Sequence, residues 1–144
     1  MEVSHTFSND IHWDGERRGT LAIEGKADLP ISTPPEFGGP PGIISAEDLF
    51  VASAGVCFHS TFLAMADKVR ASFVNFSCRA EGTLEKVEGK GLLFTSIVLK
   101  PKVGIADLGE ERPIKRALEL AKKYCLVTNS MSCPVEMEPV VEVV

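Results

Sequence analysis

The chain has 144 residues, 44% of them hydrophobic and 24% charged, with a net charge of −5 at neutral pH. That composition is ordinary for a water-soluble globular protein, and the length suits one domain, residues 1–144, with a sizeable core. The acidic balance gives no electrostatic reason to expect nucleic acid or a membrane surface as partner, and the opening MEVSHTFSND carries no secretory-signal pattern, so cytoplasm is the expected location.

Residues 2–24 read as strands with turns: Val3, His5 and Phe7 alternate with polar neighbours, as do Leu21 and Ile23. The intervening WDGERRG has turn residues and two arginines, Arg17 and Arg18. Residues 25–44 are rich in glycine and proline and read as one long loop, a feature that tends to be functional inside a compact domain. Ser45 then offers an N-cap, with Glu47 and Asp48 in the first turn where the helix dipole favours negative charge.

The helix that follows runs to about Val69 and is the centre of the chain. Leu49, Phe50, Val51, Val56, Phe58, Phe62, Leu63 and Met65 make it apolar or small on nearly every face, the pattern of a helix buried in a core. Ser53, His59, Ser60 and Thr61 argue against a membrane span. Cys57 sits inside it, among Phe50, Ala54, Thr61 and Ala64 by helical spacing.

Residues 72–86 read as a long strand with Val74, Phe76, Cys78, Ala80 and Leu84 on one face. Glu88 to Gly91 form a hairpin-like turn, and Leu92 to Lys100 return as a second strand. Glu110 to about Tyr124 is a second helix with an apolar stripe of Ile114, Ala117, Leu118 and Ala121. Extending that stripe reaches Cys125, which therefore ends the helix facing inward and could approach Cys57. Residues 134–144 read as the last strand, with Cys133, Val135 and Met137 in one phase.

The four cysteines, Cys57, Cys78, Cys125 and Cys133, show no C-x-x-C spacing, and no histidine stands at zinc-finger spacing, so no metal or other cofactor is expected. In a reducing cytoplasm any disulfide is more in keeping with transient catalysis than with structure. His59 follows Cys57 by two positions, about 200° around a helix, which places it badly as a base for the thiol.

These residues resemble the OsmC/Ohr family of thiol-dependent hydroperoxide reductases. The run S-A-E-D-L-F-V-A-S-A-G-V-C-F is similar to the family's Pro-Glu-x-Leu segment that ends ten residues later in the peroxidatic cysteine, with Glu47 and Cys57 in those places. The segment A-K-K-Y-C-L-V looks like the surroundings of the resolving cysteine, and the order of elements agrees along nearly the whole chain. The departures are Ala46 and Leu126, where the family often has proline. The second makes Cys133-Pro134-Val135 a rival to Cys125, which we prefer because it closes a helix.

The resemblance implies an α+β fold with curved antiparallel sheets around central cysteine-bearing helices and an intertwined homodimer. It implies catalysis by Cys57, Cys125 and Glu47: a Cys57 sulfenic acid, a Cys57–Cys125 disulfide, and a glutamate orienting an activating arginine, for which Arg17 and Arg18 are the candidates. Organic hydroperoxides would suit the apolar Phe50 and Phe58, and a dithiol, a lipoylated protein in some branches of the family, would recycle the enzyme. Cys78 and Cys133 are then spectators. The alternative is a binding or structural protein of the same fold with weak or no peroxidase activity. A cysteine acyl transferase or hydrolase is poorly supported, because no base stands beside Cys57.

Helix geometry adds a constraint. Ten residues separate Glu47 from Cys57, roughly 15 Å along the axis, too far for one site on one helix. A second subunit supplying Glu47 removes the conflict, and the small residues Ala52 to Gly55 would ease the approach of a partner helix. The simpler view is a helix-start acid favoured by the dipole.

Overall fold

The computed structural model describes residues 4–144. The chain divides into two compact units, one ending at Phe50 and one running from Val51 to Val144.

The first unit is an antiparallel sheet of β1 (Asp10–Gly15), β2 (Arg18–Ala22) and β3 (Leu29–Ser32), with β2 in the centre. Ile11 pairs with Leu21 and Leu21 with Leu29, so one face is aliphatic. Gly15 and Glu16 take positive φ at the β1–β2 turn, and the Trp13 indole N–H donates to the Glu16 carbonyl at 2.9 Å, bracing it. His5 and Phe7, expected in a strand, lie ahead of β1 in exposed chain without regular structure, because alternation over so few residues leaves nothing to pack against. Val3 falls outside the described residues. The stretch expected as one loop holds β3 and a short 3-10 turn at Pro35–Phe37. Pro30 hid that strand, and it is tolerated because β3 is an edge. Gly39 is required: a Cβ there would lie 1.6 Å from the Thr33 carbonyl oxygen.

Helix α1 (Ala46–Lys68) begins with a reciprocal cap. The Asp48 N–H donates to Ser45 Oγ at 3.2 Å, and the Ser45 N–H donates to the Asp48 carboxylate at 3.0 Å. Its length and composition would allow a membrane crossing. Its buried residues, however, recur every fourth position as one stripe, Ala54, Phe58, Phe62 and Ala66, as in a core helix. The expectation of burial on nearly every face is not met within one chain: Val56 is 65% and Leu63 42% exposed. The helix closes in a left-handed turn at Arg70, where the Ala71 N–H reaches back to the Ala66 carbonyl at 2.8 Å.

In the second unit, β4 (Asn75–Val87) and β5 (Gly91–Ile105) form a long antiparallel hairpin with a bulge between Thr83 and Leu84. α1 lies on β4. Phe62 stacks on Phe76 at 4.7 Å between ring centres, and the rings of Phe58 and Phe73 join them. Gly55 faces Ala80, whose methyl group a Cβ at residue 55 would meet at 3.4 Å, an ordinary contact. Helix α2 (Glu111–Tyr124) buries the stripe Ile114, Ala117, Leu118 and Ala121, as its spacing requires. α3 (Leu126–Asn129) follows at once. The last two strands, β6 (Val135–Met137) and β7 (Val140–Val143), pair with β5 in parallel, a direction made possible by the crossover through α2. The α+β class with antiparallel sheets is as expected, and the parallel additions are new.

The two glycines at the α1–β4 contact differ in what a methyl group would meet. At Gly82 it would lie 2.5 Å from Val51 Cγ2 and 3.0 Å from the Phe94 ring, whereas at Gly55 it would lie 3.4 Å from the Ala80 methyl. Chemical denaturation of Gly82→Ala should show a loss of about 1–3 kcal/mol. Gly55→Ala should be neutral or gain up to about 1 kcal/mol from helix propensity.

Candidate active site

Cys57 lies beside the buried stripe of α1, one position before Phe58, and is half-buried. One residue is 100° of rotation, so the sulfur sits at the rim of the packed face, reachable from outside. Cys125 comes from the other direction. It ends α2 with extended backbone, φ −64° and ψ 106°, and the chain restarts at once as α3. Its side chain continues the α2 stripe and is wholly buried.

The structure brings these two together. The Cys57 and Cys125 side chains lie near enough to act on one another's ionisation, and both cysteines are free thiols. Because α3 starts afresh after Cys125, its first N–H groups have no partner within the helix. Those of Val127 and Leu126 lie towards the Cys57 sulfur and favour its thiolate. On α1 the Thr61 hydroxyl lies 3.9 Å from the same sulfur and donates to the Cys57 carbonyl at 2.8 Å. Thr128 donates its hydroxyl to the Cys125 carbonyl at 3.2 Å.

Electrostatics separate the two thiols. Burial pushes Cys57 up, but the Val127 N–H, the Cys125 thiol, the Thr61 hydroxyl and the Leu126 N–H outweigh it and bring Cys57 below the ordinary value. Burial pushes Cys125 up, and although Thr128 opposes this, hydrogen bonding and charge from Cys57 leave Cys125 raised.

The other expected residues lie elsewhere. Glu47 stays half-buried in the first turn of α1, ten residues before Cys57. Arg17 is in the β1–β2 turn, its guanidinium beside Gly38, and Arg18 begins β2 opposite Ser32. Cys78 is half-buried in β4; burial raises its thiol, against an N–H from Lys100. Cys133 precedes β6, next to Pro134, whose carbonyl accepts the Ile97 N–H. Phe58, expected to shape a substrate pocket, is wholly buried in the core. The exposed large hydrophobic residues next to Cys57 and Cys125 in sequence are Val56, Tyr124 and Leu126. His59 is exposed, its ring 5.5 Å from that of Phe76.

Comparison with known proteins bears on what this constellation is. The family model described as OsmC-like protein matches residues 39–139. The chain belongs to the OsmC-like family. An uncharacterized protein of Methanocaldococcus jannaschii is 31% identical over 100 residues, 69% of this chain and 50% of that one, so the match spans about half the length of the relative. An OsmC-like protein of unknown function from Vibrio cholerae has the same fold, with TM-score 0.86 and 21% identity over 95% of this chain and all of that one. So does an organic hydroperoxide resistance protein OsmC from Legionella pneumophila, with TM-score 0.76 and 23% identity over 98% and 99% of the two chains. The OsmC fold is thus shown, and some of its bearers are named for hydroperoxide resistance.

Alkylation by iodoacetamide, followed residue by residue in a mass spectrometer against pH, checks the electrostatics. The midpoint for Cys57 should lie below that of an ordinary cysteine thiol and that for Cys125 above it. The reverse order would contradict the arrangement described.

Proposed function

We propose that this OsmC-like protein is a thiol-dependent peroxidase that reduces organic hydroperoxides. The observation that carries the reading is the mutual influence of an accessible thiol with a lowered pKa, Cys57, and a buried thiol with a raised one, Cys125. Hydroperoxide resistance in the name of the Legionella pneumophila protein supports the substrate class.

The Cys57 thiolate attacks one oxygen of the O–O bond. An S–O bond forms, the O–O bond breaks, and the other oxygen leaves as the alcohol after taking a proton. Cys57 is now a sulfenic acid, oxidised by two electrons. The Cys125 sulfur attacks it, the S–S bond forms, and the oxygen departs as water. A dithiol, free or carried on a lipoylated protein, then reduces the Cys57–Cys125 disulfide by exchange. Val56 and Leu126 give an organic peroxide an apolar approach. The reactions require a reducing compartment, and we place the protein in the cytoplasm.

One equivalent of an organic hydroperoxide followed by peptide mapping should give a 57–125 link. Cys57→Ser should abolish turnover, and Cys125→Ser should leave a sulfenic acid that dimedone traps. A dominant 57–133 link would overturn the pairing. A second reading, an OsmC-fold binding protein with weak or no peroxidase activity, is favoured by the neutral character of the donors around Cys57, which are two amides, a thiol and a hydroxyl. Lack of any peroxide-dependent link would select it.

The partner in this proposal is a second copy of the chain. The apolar line of Ala52, Val56 and Leu63 on α1 is exposed in one subunit and suits the same line of another across a two-fold axis. Each subunit's Glu47 then serves the other's Cys57. The heterodimer of Glu47→Ala with Cys57→Ser subunits should have about half of wild-type activity per dimer, because one of its two sites is intact. No recovery in verified heterodimers, or a monomer in solution, would refute the shared site.

A further inference from the structure

Two threonines stand beside the paired sulfurs in matching positions. Thr61 follows Cys57 by four residues, donates to the Cys57 carbonyl at 2.8 Å and has the Cys57 sulfur 3.9 Å away. Thr128 follows Cys125 by three residues, donates to the Cys125 carbonyl at 3.2 Å and opposes the rise of the Cys125 thiol. A helical threonine bonded to the carbonyl one turn earlier is common and carries no function by itself. Here the Thr61 hydroxyl has the Cys57 sulfur as its second neighbour, the Thr128 hydroxyl favours the Cys125 thiolate, and the two thiols act on one another. Thr128 is buried and Thr61 half-buried, so water competes little for either. The result is one continuous polar line, Thr61–Cys57–Cys125–Thr128.

A hydroxyl has one proton to donate and two lone pairs. Beside a thiol it can keep its proton on the carbonyl and accept the S–H. Beside a thiolate it can turn the proton onto the sulfur by rotation about the Cβ–Oγ bond, without moving a heavy atom. We propose that Thr61 and Thr128 are positioning residues, Thr61 for the attacking sulfur of Cys57 and Thr128 for the resolving sulfur of Cys125. The assignment rests on the peroxidase reading above. In the first step the Thr61 proton holds the Cys57 charge until the S–O bond forms, then returns to the carbonyl. In the second, Cys125 loses its proton to the oxygen leaving the sulfenic acid, which departs as water. The Thr128 hydroxyl bears on the sulfur while the S–S bond forms. Neither threonine is consumed.

The test uses full-length Thr61→Val and Thr128→Val, with Thr61→Ser and Thr128→Ser as rescues that keep the hydroxyl. Two readouts are taken: iodoacetamide alkylation of each cysteine against pH, and rapid-mixing kinetics with cumene hydroperoxide. Thr61→Val should move the Cys57 alkylation midpoint to higher pH. It should slow the peroxide step roughly three- to tenfold at about pH 6.5, with the difference closing as pH rises, and Thr61→Ser should restore it. Thr128→Val should leave the peroxide step within about twofold while slowing disulfide formation roughly three- to tenfold, so that dimedone traps more sulfenic acid. If Thr128→Val does not fold, Thr128→Ala serves in its place. An unchanged Cys57 midpoint in Thr61→Val, or equal slowing of both steps by Thr128→Val, would overturn the proposal. Alkylation needs no peroxide, so a wild type that fails to turn over peroxide counts against the peroxidase reading, while an unchanged Cys57 midpoint in Thr61→Val or an unchanged Cys125 midpoint in Thr128→Val still overturns the role of that threonine.

Discussion

The rotation of α1 about its own axis is the constraint on which the site depends. Four residues in register, Ala54, Phe58, Phe62 and Ala66, lock one face of the helix into the core, and Phe76 of β4 clamps the two rings. With that face fixed, each other residue points where 100° per step sends it. Cys57 lands on the rim, where a sulfur can be reached from outside and still meet donors from α3. Val56 lands on the open side. A helix rolled by one residue would bury the sulfur among phenylalanines, where burial raises a thiol with no amide to offset it.

The second half of the site depends on where α2 stops. Cys125 adopts extended backbone after fourteen helical residues, and α3 begins with the next. A helix that carried on through residue 127 would spend the N–H groups of Leu126 and Val127 on its own carbonyls. The interruption leaves them for the Cys57 sulfur. It also turns Leu126 outward, 70% exposed, beside the place where a substrate would arrive. Stopping the helix thus does two things with one local change of ψ.

The parts of this arrangement that are written as side-chain periodicity could be read in advance. The α2 stripe led directly to Cys125, and Ser45 with Asp48 announced the start of α1. The β4 alternation placed Cys78 inward. What stayed hidden is written in the backbone. An amide donor has no letter of its own, so nothing in Leu126 or Val127 marked them, and α3 has no polar cap to announce it. Pairing direction is equally silent, since Val135 and Met137 alternate in the same way whether β6 runs parallel or antiparallel to β5. Thr61 was visible as a neighbour of Cys57 by spacing, but its hydrogen bond to the cysteine's own carbonyl required coordinates.

The asymmetry of the two thiols also bears on which of them can do what. In the proposed peroxidase reaction a peroxide must reach the attacking sulfur, and of the two cysteines Cys125 is wholly buried while Cys57 is half-buried. The attacking sulfur must also be ionised near neutral pH, which favours the thiol with the more numerous donors. The resolving sulfur has the opposite requirement, because keeping its proton until the sulfenic acid is attacked turns the leaving oxygen into water. Interaction between the thiols makes the two demands cooperative: the S–H of Cys125 supports the Cys57 thiolate, and the charge on Cys57 holds the proton on Cys125. Once Cys57 carries oxygen instead of charge, that hold is released, and Cys125 ionises more easily at the moment its attack is needed. In the proposed reaction the order of the two steps then follows from the mutual influence of the two thiols.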